Sequence, residues 1–185
     1  MGLFGVLFIS GDDMKKFILL CFVMILCMPL SGWNWGNGNV FYTPKYNKRQ
    51  DTNCLAKNIY FEARDQLVKG QIAVALVTIN RVKSKRFPNS ICKVVHQANR
   101  RNGRVVLHKC HFSWYCDGKS DKPKDKMSWE ISLLIARAML KNPIPDFLHG
   151  ATHYHRVDVN PYWNRRMLKF STIGDHVFYI DALNR

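Results

Sequence analysis

Apolar residues recur at helical spacing over three stretches of the chain and alternate over a few short ones. Leu55, Ile59 and Ala63 fall on one face of a helix predicted from about Asn53 to Arg64, with Asp51 or Thr52 available as its N-cap. A second helix is predicted from about Val68 to Lys83, where Ile72, Leu76 and Ile79 build the apolar face. Lys83 and Lys85 suit its negative end, and Phe87-Pro88-Asn89 stops it. Asn102-Gly103 is a turn signal ahead of the strand-like Arg104–His108, which predicts a small hairpin. A third helix, Trp129 to Lys141, carries Leu133, Ala136 and Leu140 on one face and ends before Pro143 and Pro145. Beyond it THYHRVDV alternates in part and His176–Ile180 is β-rich. The pattern predicts an α+β fold, mainly helical, with a small antiparallel sheet and no internal repeat.

Glu62 interrupts the first apolar stripe. A carboxyl group in an apolar wall has its charged form disfavoured, so it holds a proton near neutral pH. That is the property needed to protonate a glycosidic oxygen. The plainer alternative is a carboxylate paired with Arg64 or another basic residue.

The N-terminal residues change the setting. Lys15-Lys16 precede an apolar run from Phe17 to Leu30, followed by Ser31-Gly32, which has the form of a secretory signal. The run is short for a span, which asks for about 20 residues. The absence of a clean small-x-small cleavage site leaves a membrane tether open. The expected organisation is residues 1–32 as signal peptide or signal anchor, 33–52 as a flexible linker rich in Asn, Gly and aromatics, and 53–185 as one folded domain. Periplasmic or extracellular action follows.

The chain carries a formal charge of +15, and the leader's charges cancel, so the exported part stays strongly basic. Such a surface seeks polyanions, and outside the cytoplasm these belong to the anionic cell envelope rather than to nucleic acid. Cys54, Cys92, Cys110 and Cys116 lie in the exported part, where disulfides persist. The favoured expectation joins Cys92 to the Cys110–Cys116 segment and leaves Cys54 free in the core.

Two further segments carry candidate chemistry. In CHFSWYCDG, Phe112, Ser113 and Trp114 place flat apolar faces beside hydroxyl and imidazole groups, which suits a sugar ring; a loop of packed core aromatics is the alternative. In GATHYHRVDVNPYW, His153 and His155 with Asp158 invite a zinc reading, but no third ligand is visible, so neither metal nor cofactor is expected. His153, Tyr154, His155 and Trp163 are instead expected to contact substrate.

Five segments in this order, AKNIYFEAR, GQIAVALVTINRVKSKRFPNSICKVVHQ, CHFSWYCDGKSD, GATHYHRVDVNPYW and IGDHVFY, resemble the SleB-type cell-wall hydrolases, a family of spore-cortex-lytic enzymes also found in phage lysins. The resemblance implies a lysozyme-like domain that cleaves the MurNAc-GlcNAc strand of peptidoglycan, with Glu62 as catalytic acid. The chain departs from the family's pattern at Asp65-Gln66, where Gly-Glu is common, and at His111, where Gln is common. With no second carboxylate in an equally clear motif, the expected reaction is that of a lytic transglycosylase, in which Ser113, Tyr154 and His153 position the muramic acid ring. Two other readings stand beside it: an N-acetylmuramoyl-L-alanine amidase using a metal at His153 and His155, and a non-catalytic basic cell-wall binder. The enzyme is expected to act as a monomer.

Overall fold

The structure is a computed structural model that describes residues 48–181. The chain divides into units 1–41 and 42–185, and all described residues belong to the second. The expected leader and most of the expected linker lie outside the described residues.

Three helices of sixteen residues form the body: α1 (Lys48–Ala63), α2 (Val68–Lys83) and α4 (Lys126–Lys141). A five-residue helix α3 (Ile91–Val95) lies between α2 and the hairpin of β1 (Ala98–Arg101) and β2 (Arg104–Cys110). A 3-10 turn spans Ser113–Cys116. After α4 come β3 (His153–Arg156), a second 3-10 turn (Tyr162–Arg166), β4 (Leu168–Ile173) and β5 (His176–Ile180). The last three strands form an antiparallel sheet in the order β3-β5-β4, with Tyr154 opposite Phe178 and His153 opposite Tyr179. The α+β expectation therefore holds.

Boundaries differ from the sequence reading in ways that have causes. Helix α1 begins at Lys48, so residues 48–52 are helical rather than linker. Asp51 is not a cap but a buried residue inside the helix, whose Oδ1 accepts from the Cys92 amide at 3.4 Å. Helix α4 begins at Lys126 because Asp125 caps it, accepting from the Ser128 amide at 2.6 Å.

The disulfide expectation is corrected. Cys54 pairs with Cys92, and Cys110 with Cys116. Helix α1 packs beside α3 and brings the first two Cα atoms to 5.2 Å, whereas β2 ends where the 3-10 turn delivers Cys116.

Leu55, Ile59 and Ala63 of α1, Ala73 and Val77 of α2 and Ala136 of α4 are all fully buried, and Phe178 of β5 joins them. One polar chain crosses this core. The Trp114 indole N–H donates to Asn58 Oδ1 at 3.0 Å, and Asn58 Nδ2 donates to Thr78 Oγ1 at 3.0 Å. Thr78 in turn donates to the Val74 carbonyl at 3.1 Å. A buried amide satisfied in this way locks α1 to α2 in one register. Asn58 is one helical turn before Glu62, so this lock also sets the direction of the carboxylate.

Candidate active site

The end of α1, the loop after β2 and strand β3 enclose a cleft of about 430 Å³. Glu62 lines it, with Arg81 of α2, Phe112 and Ser113 of the loop, and Tyr154 and His155 of β3. Thus a helix, a disulfide-held loop and a sheet edge supply the groups, so the site rests on rigid elements.

Glu62 is partly exposed, open to the cleft and enclosed elsewhere. Its Oε2 accepts from the Tyr154 hydroxyl at 3.0 Å. Burial raises the Glu62 pKa above the usual carboxyl range, while the tyrosine hydrogen bond and the nearby Arg81 charge oppose that rise. Burial, and then the adjacent Glu62, push Tyr154 well above a normal phenol, so it remains a protonated donor. A carboxyl group that holds its proton more tightly than one in water, beside a fixed donor in a cleft wall, suits the role of a general acid.

The expected contact residues separate into three groups. Phe112, Ser113, Tyr154 and His155 line the cleft with Glu62. Trp114 lies beneath it, 6% exposed, stacked on Phe61 at 4.8 Å with its N–H already bound to Asn58. His153 and Trp163 lie on the face of β3 opposite Tyr154, with ring centroids 5.4 Å apart. Trp163 also packs on His155 at 5.6 Å and on Tyr179 at 5.5 Å. The His153 and Trp163 rings form a shelf next to the cleft rather than part of its lining.

The imidazole nitrogens of β3 are largely occupied. His155 Nδ1 lies 2.7 Å from the Arg156 carbonyl and Nε2 lies 2.8 Å from the Tyr179 hydroxyl. His153 Nδ1 lies 2.9 Å from Thr152 Oγ1. Among the described residues no group of three His, Cys, Asp or Glu side chains could hold a metal ion.

Burial, reinforced by the charges of Arg81 and Arg86, lowers the His153 pKa to about 4. In the folded protein His153 is therefore neutral where an unfolded histidine, with a pKa of about 6.5, takes up a proton. Between these two values the unfolded chain binds more protons, so stability rises with pH across that window and falls on acidification. Thermal unfolding of His153→Gln is expected to show a shallower slope between about pH 4 and 6.5. An unaltered slope would mean that other groups carry the acid sensitivity.

Two other carboxylates, Asp158 and Asp117, are not part of the cleft lining. Asp158 pairs with Arg156 at 3.2 Å, and Asp117 accepts from the Lys119 amide at 2.8 Å. Asp65 does line the cleft, and its neighbour Gln66 explains the departure there. Gln66 Nε2 donates to Asp65 Oδ1 at 3.3 Å and to Asp175 Oδ2 at 3.1 Å, and its Oε1 accepts from the Asp175 amide at 3.0 Å. One glutamine thus ties the end of α1 to the β4–β5 turn. Gly174 in that turn has φ +55, and a Cβ there would collide with Gln66 Oε1.

The sequence reading passed over Arg81. It is 5% exposed, donates from Nε to the Thr152 carbonyl at 2.7 Å, and lies over the Phe112 ring at 4.7 Å. Its signal was available, since a charged residue on the apolar face of α2 raises the same question as Glu62.

Comparison with known proteins places the fold and the family. A family profile described as Cell Wall Hydrolase matches residues 65–179. The spore cortex-lytic enzyme of Halalkalibacterium halodurans is 28% identical over 131 residues, 69% of this chain and 34% of that protein. That of Bacillus subtilis is 43% identical over 47 residues, 25% of this chain and 15% of that protein. The matched regions are therefore about a third or less of these relatives' lengths. Among solved structures, the catalytic domain of the germination-specific lytic transglycosylase SleB from Bacillus anthracis superposes with a TM-score of 0.53 at 25% identity, covering 71% of this chain and 95% of that one. The fold is lysozyme-like α+β, and the chain belongs to the cell wall hydrolase family.

Proposed function

We propose that this protein cleaves the glycan strand of peptidoglycan as a lytic transglycosylase, with Glu62 as both acid and base. The observation that carries this reading is the cleft carboxyl group of raised pKa hydrogen-bonded by Tyr154. In the first step Glu62 gives its proton to the glycosidic oxygen as the bond to C1 breaks. In the second the Glu62 carboxylate takes the proton of the same sugar's 6-hydroxyl, whose oxygen closes on C1 to form the 1,6-anhydro ring. The proton balance is zero, and no water enters.

Phe112, Ser113, Tyr154 and His155 are the proposed contacts at the bond to be cleaved, and the shelf of His153 and Trp163 is proposed to carry the strand beyond it. Trp114 supports the loop from below. The other carboxylate of the same cleft lining, and so the one that could serve hydrolysis instead, is Asp65.

The pH profile tests the assignment. Glu62 must be protonated in the free enzyme, so kcat/KM is expected to fall as pH rises through its raised pKa. Tyr154→Phe removes a hydrogen bond that lowers that pKa, so the fall is expected to move to higher pH. An alkaline limb that stays in place would contradict the pairing.

Action outside the cytoplasm is supported by the two disulfides. The basic surface is proposed to hold a monomeric enzyme on the anionic envelope. Wall lysis is then expected to drop steeply as salt rises past about 0.1 M, where the Debye length is about 10 Å. Equal activity across salt concentrations would remove that role for the charge.

A further inference from the structure

Arg81 is a buried cation whose hydrogen-bonding capacity the protein does not fill. A guanidinium carries five N–H donors. The contact to the Thr152 carbonyl uses Nε, whereas Nη1 is buried with no acceptor. Among the described residues Arg81 forms no ion pair within 4.0 Å, although Glu62 is close enough to feel its charge. Stacking on Phe112 and Phe87, at 4.7 and 5.3 Å, holds the planar group in place. An unfilled buried donor is a cost to the fold. In a cleft wall, such a donor marks where an acceptor from outside completes the site.

We propose that Arg81 is a substrate-binding residue of this cleft, taking an acyl oxygen of the muramic acid residue next to the bond that Glu62 cleaves. This rests on the glycan-cleaving reading above. The chemistry is that of an sp² oxygen meeting a planar fork of N–H groups, and muramic acid offers it from two sources. One is the carbonyl of the 2-acetamido group. The other is the acyl group of the 3-lactyl ether, an amide when a stem peptide is attached and a carboxylate when it is not.

The test compares three strand preparations: intact, de-N-acetylated, and stripped of stem peptides by an amidase. Cleavage by the full chain and by Arg81→Lys is followed as KM and kcat. If the acetamido oxygen is bound, de-N-acetylation is expected to raise the wild-type KM about tenfold or more, because the donor is again left unpaired. If the lactyl oxygen is bound, stripping is expected to lower KM as the neutral acceptor becomes anionic. In either case Arg81→Lys should reduce the difference to less than about threefold, the coupling expected of two groups in contact. A merely structural role lowers cleavage of all three strands together and leaves their ratios intact, which would overturn the proposal. So would equal wild-type KM values for all three. No cleavage of any strand would sink the glycan-cleaving reading itself. Should Arg81→Lys not fold, the guanidinium resonances of Arg81 in the Glu62→Gln protein provide the same decision. A shift on adding intact strand fragments supports the contact, and no shift overturns it.

Discussion

Replacing Glu62 by Gln is expected to lower glycan cleavage by about 10²–10⁴-fold, the range for removal of a general acid and base. Shape survives the change, because a glutamine carbonyl can still accept from the Tyr154 hydroxyl that now meets Oε2 at 3.0 Å. What disappears is the proton, so the loss should fall on kcat with little change in KM. Unfolding measurements separate this from damage to the fold. The raised pKa means that folding disfavours the Glu62 carboxylate, a penalty absent when the group is protonated at low pH and present once pH exceeds its folded value. A stable but inactive variant is therefore the expected pairing. A variant retaining more than about a tenth of wild-type turnover would exclude Glu62 as the acid.

Removal of the Cys54–Cys92 bridge is expected to have the largest effect on stability. It closes a loop of sequence separation 38 and joins α1, which carries Glu62, to α3. The chain-entropy relation gives about 3–4 kcal/mol for a loop of that length. Cys54 is itself 8% exposed, so replacement by Ala leaves part of its volume empty. Chemical denaturation of Cys54→Ala/Cys92→Ala beside the parent protein measures the sum. A loss below about 1 kcal/mol would show that helix packing alone holds α1 in place. The Cys110–Cys116 bridge closes only a separation of 6, and its removal should act more on the cleft loop than on global stability.

The catalytic candidate was legible in the sequence because an acid on an apolar helical stripe contradicts the pattern around it. Helices α1, α2 and α4 were legible for the same reason, since each carries a long apolar face. Their ends were not. Lys48, Arg49 and Gln50 show no apolar periodicity, and the helix extends over them while Asp51 finds the Cys92 amide in three dimensions. Helix α3 has five residues, fewer than two turns, so period alone has too little length to register.

Trp114 illustrates a different limit. An aromatic beside hydroxyl and imidazole groups fits a sugar platform and a core equally well in composition. The choice depends on Asn58, 56 residues away in sequence, which supplies the acceptor for the buried indole. The disulfide pairing depends likewise on which elements lie side by side. Four cysteines allow three complete pairings, and no local signal separates them. Arg81 was legible in principle, as a charge among the buried residues of α2, but its meaning came only with the cleft.

Mass spectrometry of purified peptidoglycan digested by the protein and by its Glu62→Gln variant reads the bond that is cleaved and the group that cleaves it. 1,6-Anhydro-muramic acid ends are expected from the parent protein and none above background from the variant. Reducing ends would contradict the transglycosylase step and turn attention to Asp65 as a second acid, and free stem peptides persisting in the variant would contradict the Glu62 mechanism altogether.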